Sequence, residues 1–390
     1  MSFITLIKNA QVYAPRALGL CDVLVAGNRI AKIDQSLELS ASIGATVDAD
    51  GAWLIPGLVD SLVHINGGGG EGGFASRTPE LQIRDALGSG VTTVVGALGT
   101  DAVTRTLHDL YGKARALDAQ GLTCFMQTGS YQVPVNTLTG SVRSDIMLVD
   151  PVIGVGELAI SDHRSSHPTR DELVRIAADA RVAGLLSGKG GVVSVHVGGG
   201  SGLLHPLFDV VEHSDIPITQ FYPTHINRNG DLLANGVAFA RAGGFIDFTT
   251  STTPEILASG EFRASQALRL ALEQGAPVDK LTFSSDAQGS LTNFCDQGGL
   301  KNIEVGDIGS LFDEFRLAVQ EEGIEFSRAL QVVTSNPARA LALPGKGVIR
   351  EGADADLVLV DPDRFAITHV MSRGAWKVFD RQSSVTDVFA

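Results

Sequence analysis

The sequence has few cysteines and no surplus of basic residues. Only 3 of its 390 residues are cysteine, and Cys21, Cys124 and Cys295 lie far apart. An odd, dispersed set does not make the disulfide framework of a small secreted domain, so we expect a reducing, cytoplasmic environment. Aspartate and glutamate outnumber lysine and arginine by 44 to 30, which gives a net charge of −14. Because phosphate binding needs a basic face, we expect no nucleic acid partner.

The chain also lacks long apolar segments. No window approaches about 18 uninterrupted apolar residues, as a membrane-spanning helix requires. The N-terminal MSFITLIKNAQVY does not have the charged region and apolar stretch of a secretion signal. The composition is globular, with 44% hydrophobic and 19% charged residues. Its length suits one large domain with an appendage or two ordinary domains, and no membrane partner is expected.

Two sequence patterns divide the chain. Residues 1–55 alternate short apolar runs with turn residues, and this pattern returns over 346–390. Over 56–345, apolar runs such as VTTVVGA and GVVSVHVG each precede a helix-like stretch. Seven or eight such βα units indicate a (β/α)₈ TIM barrel, and the two ends are expected to form one small β-sandwich domain. A doubly wound sheet is the alternative, but GGGGEGG at 67–73 lacks the spacing of its phosphate-binding turn.

Potential metal ligands follow several of these apolar runs. His64, Glu157, His196, His225 and Asp286 stand at or near the ends of predicted strands. In a barrel, the carboxyl ends of the strands form the face that carries the active site. Imidazole and carboxylate groups are the ligands that Zn²⁺ uses in sites that keep a position open for water. An aspartate beside such a site can take a proton from water, so the pattern predicts metal-dependent hydrolysis.

Longer motifs resemble a known family. PGLVD near residue 60 and the closing GVIREGADADLVLVD resemble the amidohydrolase superfamily. TGSYQVP at 128–134, AISDHRSS at 159–166, PTHINRN at 223–229 and SSDAQGS at 284–290 together resemble the isoaspartyl dipeptidases. The resemblance implies that a metal-activated water hydrolyses the β-aspartyl bond of a small dipeptide substrate. We also expect the chain to form a homo-oligomer.

The resemblance assigns roles to individual residues. It implies that Asp286 moves the proton of water and that Tyr131 polarises the scissile carbonyl. Five residues are implied as substrate contacts: Glu71, Thr100, Arg164, Arg228 and Ser290. Among these, the acid would pair with the substrate ammonium, and the two arginines would bind its carboxylates, to which a guanidinium fork is suited.

Two positions depart from the family pattern. The superfamily usually has His-x-His after its first strand, where this chain has Leu62, Val63 and His64. Isoaspartyl dipeptidases carry a carboxylated lysine just before AISDHR, where this chain has Glu157. A glutamate can supply the same kind of anionic oxygen. The predicted ligands are therefore Glu157, His196 and His225, with His64 and Asp286 left at a second position.

These departures bear on both the metal and the reaction. We expect one Zn²⁺ ion, with two ions as the alternative, because leucine cannot donate a lone pair. A related N-acyl or cyclic-amide hydrolase stays open as an alternative function. So does a catalytically inactive homologue.

Overall fold

The computed structural model describes residues 3–294 and 300–383, which form a mixed α/β fold; Cys295 lies outside them. The first strands are β1 (Ile4–Tyr13), β2 (Ala17–Ala26), β3 (Arg29–Asp34), β4 (Ala45–Asp48) and β5 (Trp53–Pro56). Strands that alternate with helices follow: β6 (Leu58–Val63), β7 (Val91–Gly96), β8 (Thr123–Thr128), β9 (Val152–Ile160), β10 (Val192–Val197), β11 (Phe221–Thr224), β12 (Ile246–Thr249) and β13 (Leu281–Ser284). A hairpin and four closing strands complete the set: β14 (Ser290–Phe294), β15 (Leu300–Val305), β16 (Leu357–Asp361), β17 (Ala366–Ser372), β18 (Ala375–Phe379) and β19 (Gln382–Ser383).

The helices lie between and after the alternating strands. The α-helices are α1 (Ile83–Gly88), α2 (Leu107–Gln120), α3 (Val142–Leu148), α4 (Arg170–Ser187), α5 (His205–Glu212), α6 (Gly230–Arg241), α7 (Pro254–Ala258), α8 (Ala264–Glu273), α9 (Ser310–Gln320), α10 (Phe326–Val332) and α11 (Ser335–Ala340). Short 3₁₀ turns occur at Phe74–Ser76, Ile218–Gln220, Ile226–Arg228 and Val278–Lys280. Local sequence explains their ends: α4 starts with a capping box of Thr169 and Glu172, and α2 stops at Gly121, whose φ of 104° favours glycine. Within 3–294 and 300–383, no helix has both the length and the apolar character needed to cross a bilayer.

The alternating strands form a curled parallel sheet. β6 to β11 pair in sequence order, and β12 and β13 form a second parallel pair. β13 packs against β6, so the two ends of the series approach each other. Apart from the half-buried Phe125 of β8, every residue of these eight strands is buried. Continuous burial explains why they read as unbroken apolar runs rather than as alternating patterns.

Hydrogen bonds outside the ladders hold the strand ends together. Asp286 N donates to Leu62 O at 3.1 Å, and His64 N donates to Ala287 O at 2.9 Å. After β11, the Asn227 side chain accepts from Thr249 N at 2.9 Å and donates to Thr249 O at 3.0 Å. These contacts bring the carboxyl ends of β6 and β13, and those of β11 and β12, side by side.

Strands from both ends of the chain pair in one nine-stranded sheet. Its order is β19-β18-β17-β16-β5-β1-β2-β3, with β4 paired to β1. The junction is the antiparallel pair of β5 and β16, in which Ile55 lies opposite Val358. Terminal segments that the sequence indicates to be β-rich therefore meet directly.

An aromatic cluster joins this sheet to the helices. Trp53 of β5 lies 4.8 Å from Phe326 of α10 and 5.1 Å from Phe365, measured between ring centroids. Phe315 of α9 lies 5.4 Å from Phe326 and 5.5 Å from Phe365. The pairs meet edge to face, an arrangement that aromatic rings favour. The cluster therefore fastens the last helices to the terminal sheet.

We expect Phe315→Ala to lower the free energy of unfolding by about 3–5 kcal/mol, the range for deleting a fully buried phenylalanine. Urea denaturation of the two proteins measures the change. The matched control is Phe74→Ala, because Phe74 is 81% exposed and its loss should change stability by about 0.5 kcal/mol or less. Equal midpoints for wild type and Phe315→Ala would contradict the importance of the cluster.

Candidate metal and substrate site

A cavity of about 350 Å³ opens at the carboxyl ends of the parallel strands. Ten of the eleven predicted site residues line it: His64, Glu71, Thr100, Tyr131, Arg164, His196, His225, Arg228, Asp286 and Ser290. The eleventh, Glu157, is buried beside His64, His196 and His225. Residues separated by more than 200 positions in the sequence thus meet at one site.

Glu157, His196 and His225 form a group that could hold a metal ion. One ligand atom from each lies within 4.8 Å of the others. Glu157 Oε2 is 3.6 Å from His196 Nδ1 and 3.7 Å from His225 Nε2. Both carboxylate oxygens are buried and have no hydrogen-bond partner. A buried anion without hydrogen bonds is costly, so this donor set fits a divalent cation.

The surroundings of His225 keep it in the form that binds metals. It directly follows β11 in the left-handed conformation, with a φ of 64°. Its Nδ1 is 2.5 Å from Thr249 Oγ1, which leaves Nε2 directed at Glu157. Burial, and then the charge of Arg228, lower the pKa of His225 to about 4. The imidazole is therefore neutral at pH 7 and has a lone pair to donate.

His64 and Asp286 lie next to this group. His64 Nε2 is 3.1 Å from Asp286 Oδ1 and 3.4 Å from Glu157 Oε1, and its Nδ1 is 3.1 Å from Ala97 O. Burial works to lower the pKa of His64, but contacts with Asp286 and Glu157 outweigh it and raise the pKa to about 10. Leu62 is buried in β6, and its side chain offers no ligand atom.

Asp162 is a site residue that the sequence analysis missed. Its Oδ2 is 2.9 Å from His196 Nε2. Arg164 donates two hydrogen bonds to the same carboxylate, from Nε to Oδ1 at 3.0 Å and from Nη2 to Oδ2 at 2.8 Å. The Tyr131 hydroxyl is 2.7 Å from Nδ1 and 3.4 Å from Nε2 of the His196 imidazole. The available signal was an acid two residues before the predicted arginine in SDHRSS. Arg164 therefore lines the cavity with its Nε and Nη2 atoms already hydrogen-bonded to Asp162.

Three predicted substrate contacts converge on Glu71. The hydroxyls of Thr100 and Ser290 each donate to its carboxylate at 3.1 Å. Arg164 Nη1 lies 3.4 Å from the same oxygen, Oε1. An anionic group supported in this way can accept hydrogen bonds from an ammonium group of a ligand.

Arg228 differs from Arg164 in the groups that surround its guanidinium. Its buried Nε has no hydrogen-bond partner among the described residues. Glu261 lines the same cavity, and burial raises the pKa of its carboxyl group. No motif in the sequence points to Glu261. The guanidinium of Arg228 is therefore available to an anionic ligand.

Comparison with known proteins gives matches over nearly the whole chain. The chain is 45% identical to the β-aspartyl dipeptidase of the thermophilic, keratin-degrading Fervidobacterium islandicum AW-1 in complex with β-Asp-Leu, with a TM-score of 0.93 over 99% of this chain and 100% of that one. Another structure of that enzyme matches over the same shares with 44% identity and a TM-score of 0.90. An allantoinase of Bacillus licheniformis is 24% identical over 93% of this chain and 88% of its own length. A profile of the amidohydrolase family matches residues 258–389.

We expect Glu157→Gln to lose most of its divalent metal, because a neutral amide replaces the anionic member of the group. Loss of a partner that only orients a ligand costs about 10–100-fold in metal affinity, and loss of a ligand should exceed that range. Zinc titration against a chromophoric chelator measures the change. Glu321→Gln, at an exposed position, is the control. Wild-type zinc affinity in Glu157→Gln would show that Glu157 is not a ligand.

Proposed function

The chain belongs to the β-aspartyl dipeptidase family of amidohydrolases, and on that premise we propose that it hydrolyses the isopeptide bond of β-aspartyl dipeptides. The main support for the proposal is one cavity. It combines a buried group that could hold a metal ion with charged side chains that match the charges of such a dipeptide. Glu71 would bind its ammonium group, and Arg164 and Arg228 would bind its two carboxylates. A volume of about 350 Å³ suits a small ligand.

The proposed cofactor is one Zn²⁺ ion held by Glu157, His196 and His225. Bound there, zinc lowers the pKa of water and polarises a carbonyl oxygen. Three nitrogen and oxygen ligands with a fourth position open are typical of catalytic zinc sites. Because Leu62 has no donor atom, a second ion would depend on His64, Asp286 and a share of Glu157. Two equivalents of tightly bound metal per chain would contradict this proposal.

Residues of the chain carry out the proton transfers. Asp286 accepts a proton as the water oxygen bonds to the carbonyl carbon, and Tyr131 donates a hydrogen bond to the carbonyl oxygen as it gains negative charge. When the C–N bond breaks, Asp286 returns the proton to the leaving amine. Burial, and then the charge of Glu157, hold the pKa of Tyr131 well above its usual value. Tyr131 therefore keeps the proton that this role requires.

We further propose that β6 to β13 close into a (β/α)₈ barrel over 56–345, with 1–55 and 346–390 forming a β-sandwich domain. The contact of β13 with β6 supports closure. A separate cluster of buried apolar residues supports the second domain, because all of its members come from the two terminal segments.

We also propose that the chain forms a homo-oligomer in the cytoplasm. The C-terminal ends of α3 and α4, which pack together, expose apolar side chains that a second copy could cover: Leu148 is 73% exposed and Leu185 is 72% exposed. Cys21 and Cys124 are free thiols, as a reducing compartment would keep them.

Asp286→Asn tests the proposed reaction. The variant should hydrolyse β-Asp-Leu with a kcat reduced by about 10²–10⁴-fold, because the amide cannot accept the proton. Its zinc content, measured on the same sample, should stay close to that of the wild type. Retained activity would remove Asp286 from the mechanism. Parallel loss of zinc would make it a ligand first. A wild-type protein that is loaded with zinc but inactive on β-Asp-Leu would overturn the proposed function.

Arg228→Met tests recognition of the acidic substrate. Wild type should prefer β-Asp-Leu over each of the two derivatives in which one carboxylate is an amide. Loss of a hydrogen bond from a carboxylate to this half-buried guanidinium makes that preference about 10-fold to 10²-fold in kcat/KM. Arg228→Met should lose the preference for one of the two carboxylates, while the exposed Arg241→Met should keep both. Equal kcat/KM for the dipeptide and both amides in wild type would favour a hydrolase of neutral amides.

A further inference from the structure

We propose that Asp162 is a positioning residue that orients both His196, a ligand of the metal, and Arg164, a substrate-binding residue. The inference rests on the proposed function and extends it to a residue outside the predicted site. One carboxylate would then set the geometry of the metal half and of the substrate half of the cavity together.

The two oxygens of Asp162 are fully engaged by these two partners. Oδ2 is shared between His196 Nε2 at 2.9 Å and Arg164 Nη2 at 2.8 Å. Oδ1 accepts from Arg164 Nε at 3.0 Å and from Arg164 N at 2.8 Å. The Asp162 side chain is only 6% exposed, so water competes little for these bonds.

For His196, the contact decides which nitrogen faces the metal position. A carboxylate beside Nε2 holds the proton on that nitrogen and leaves the lone pair on Nδ1. Nδ1 is the atom that lies 3.6 Å from Glu157 Oε2. The carboxylate also makes the imidazole a stronger donor to a metal ion.

For Arg164, the hydrogen bonds to Asp162 fix the orientation of the guanidinium. Its Nε and Nη2 edge is fixed on Asp162, while Nη1 lies 3.4 Å from Glu71 and the group sits 5.5 Å from the centre of the Tyr131 ring. Without the charge of Asp162, Glu71 becomes the stronger attraction for the guanidinium. Arg164 would then turn toward the acid that the substrate ammonium needs.

Gly198 lets Asp162 come close enough to do this. It follows β10, two residues after His196, and a Cβ at this position would clash with Ser161 O, the Cβ of Asp162 at 2.5 Å and the Cα of Asp162 at 2.7 Å. Alanine at Gly198 therefore displaces the backbone of Ser161 and Asp162, and with it the Asp162 carboxylate, without changing its charge. This gives a second, independent way to break the contact.

The experiment compares metal-free wild type with Asp162→Asn in two titrations. Zinc affinity is measured by competition with a chromophoric chelator, and β-Asp-Leu affinity by calorimetry on the metal-free protein. Zinc affinity should fall about 10–100-fold. Dipeptide affinity should fall about tenfold or more, the size of one lost hydrogen bond to a charged group.

Matched controls separate this role from a general loss of charge or packing. Asp209 also contacts a histidine and an arginine, with His213 Nδ1 at 3.0 Å and Arg170 Nη1 at 3.7 Å, but it lies at the exposed surface. Asp209→Asn should change neither affinity. If Asp162→Asn does not fold, Gly198→Ala should give both losses, with Gly112→Ala as its control, since a Cβ there meets nothing within 4 Å.

Loss of both affinities supports the inference, and loss of only one or of neither overturns it. Neither titration depends on turnover, so the outcomes stay distinct from those of the proposed function. A wild-type protein that binds zinc and β-Asp-Leu without cleaving the dipeptide overturns the proposed function alone. A wild-type protein that cleaves β-Asp-Leu, with both affinities unchanged in Asp162→Asn, overturns the inference alone.

Discussion

The site depends on one buried carboxylate, that of Glu157, which has no hydrogen bond to either oxygen. An isolated anion in a protein interior costs several kcal/mol or more, so its surroundings must compensate it. Three imidazoles at the ends of β6, β10 and β11 lie 3.4, 3.6 and 3.7 Å from it, but His225 is neutral at pH 7 and none of the three is hydrogen-bonded to the carboxylate. A cation held by these groups would supply the missing compensation.

The nitrogens that point away from Glu157 meet three different partners. For His64 the partner is a backbone carbonyl, for His225 a hydroxyl, and for His196 the carboxylate of Asp162. A carboxylate partner increases the basicity of an imidazole more than a neutral group does. Of the three rings, His196 is thus the one with a carboxylate on the nitrogen that points away from Glu157. It is also the ring that touches Tyr131, so the proposed metal ligand and the residue proposed to activate the carbonyl are in direct contact.

A short sequence pattern was enough to select residues that meet in the folded chain. An apolar run followed by histidine or an acid indicated a strand end, and the structure brings those ends to one cavity. The sequence did not predict which residues far apart in the chain contact each other. The bonds between Asn227 and Thr249, 22 residues apart, and the place of Glu261 in the cavity follow from tertiary packing alone. A local pattern identifies what a side chain can do, but not which group faces it.

The distances around Glu157 distinguish an ion site from a hydrogen-bonded cluster. Two ligand atoms about 2.1 Å from a tetrahedral zinc ion lie about 3.4 Å apart, whereas a hydrogen bond joins atoms at about 2.7–3.2 Å. His196 and His225 stand 3.6 and 3.7 Å from the carboxylate, slightly wider than the ion spacing and too far for hydrogen bonds. His64 Nε2 lies 3.4 Å from Glu157 Oε1 and 3.1 Å from Asp286 Oδ1, an oxygen that has no hydrogen-bond partner. The three imidazole nitrogens nearest to Glu157 therefore stand close to the spacing of ligands around one ion, and Leu62 adds no donor atom to them.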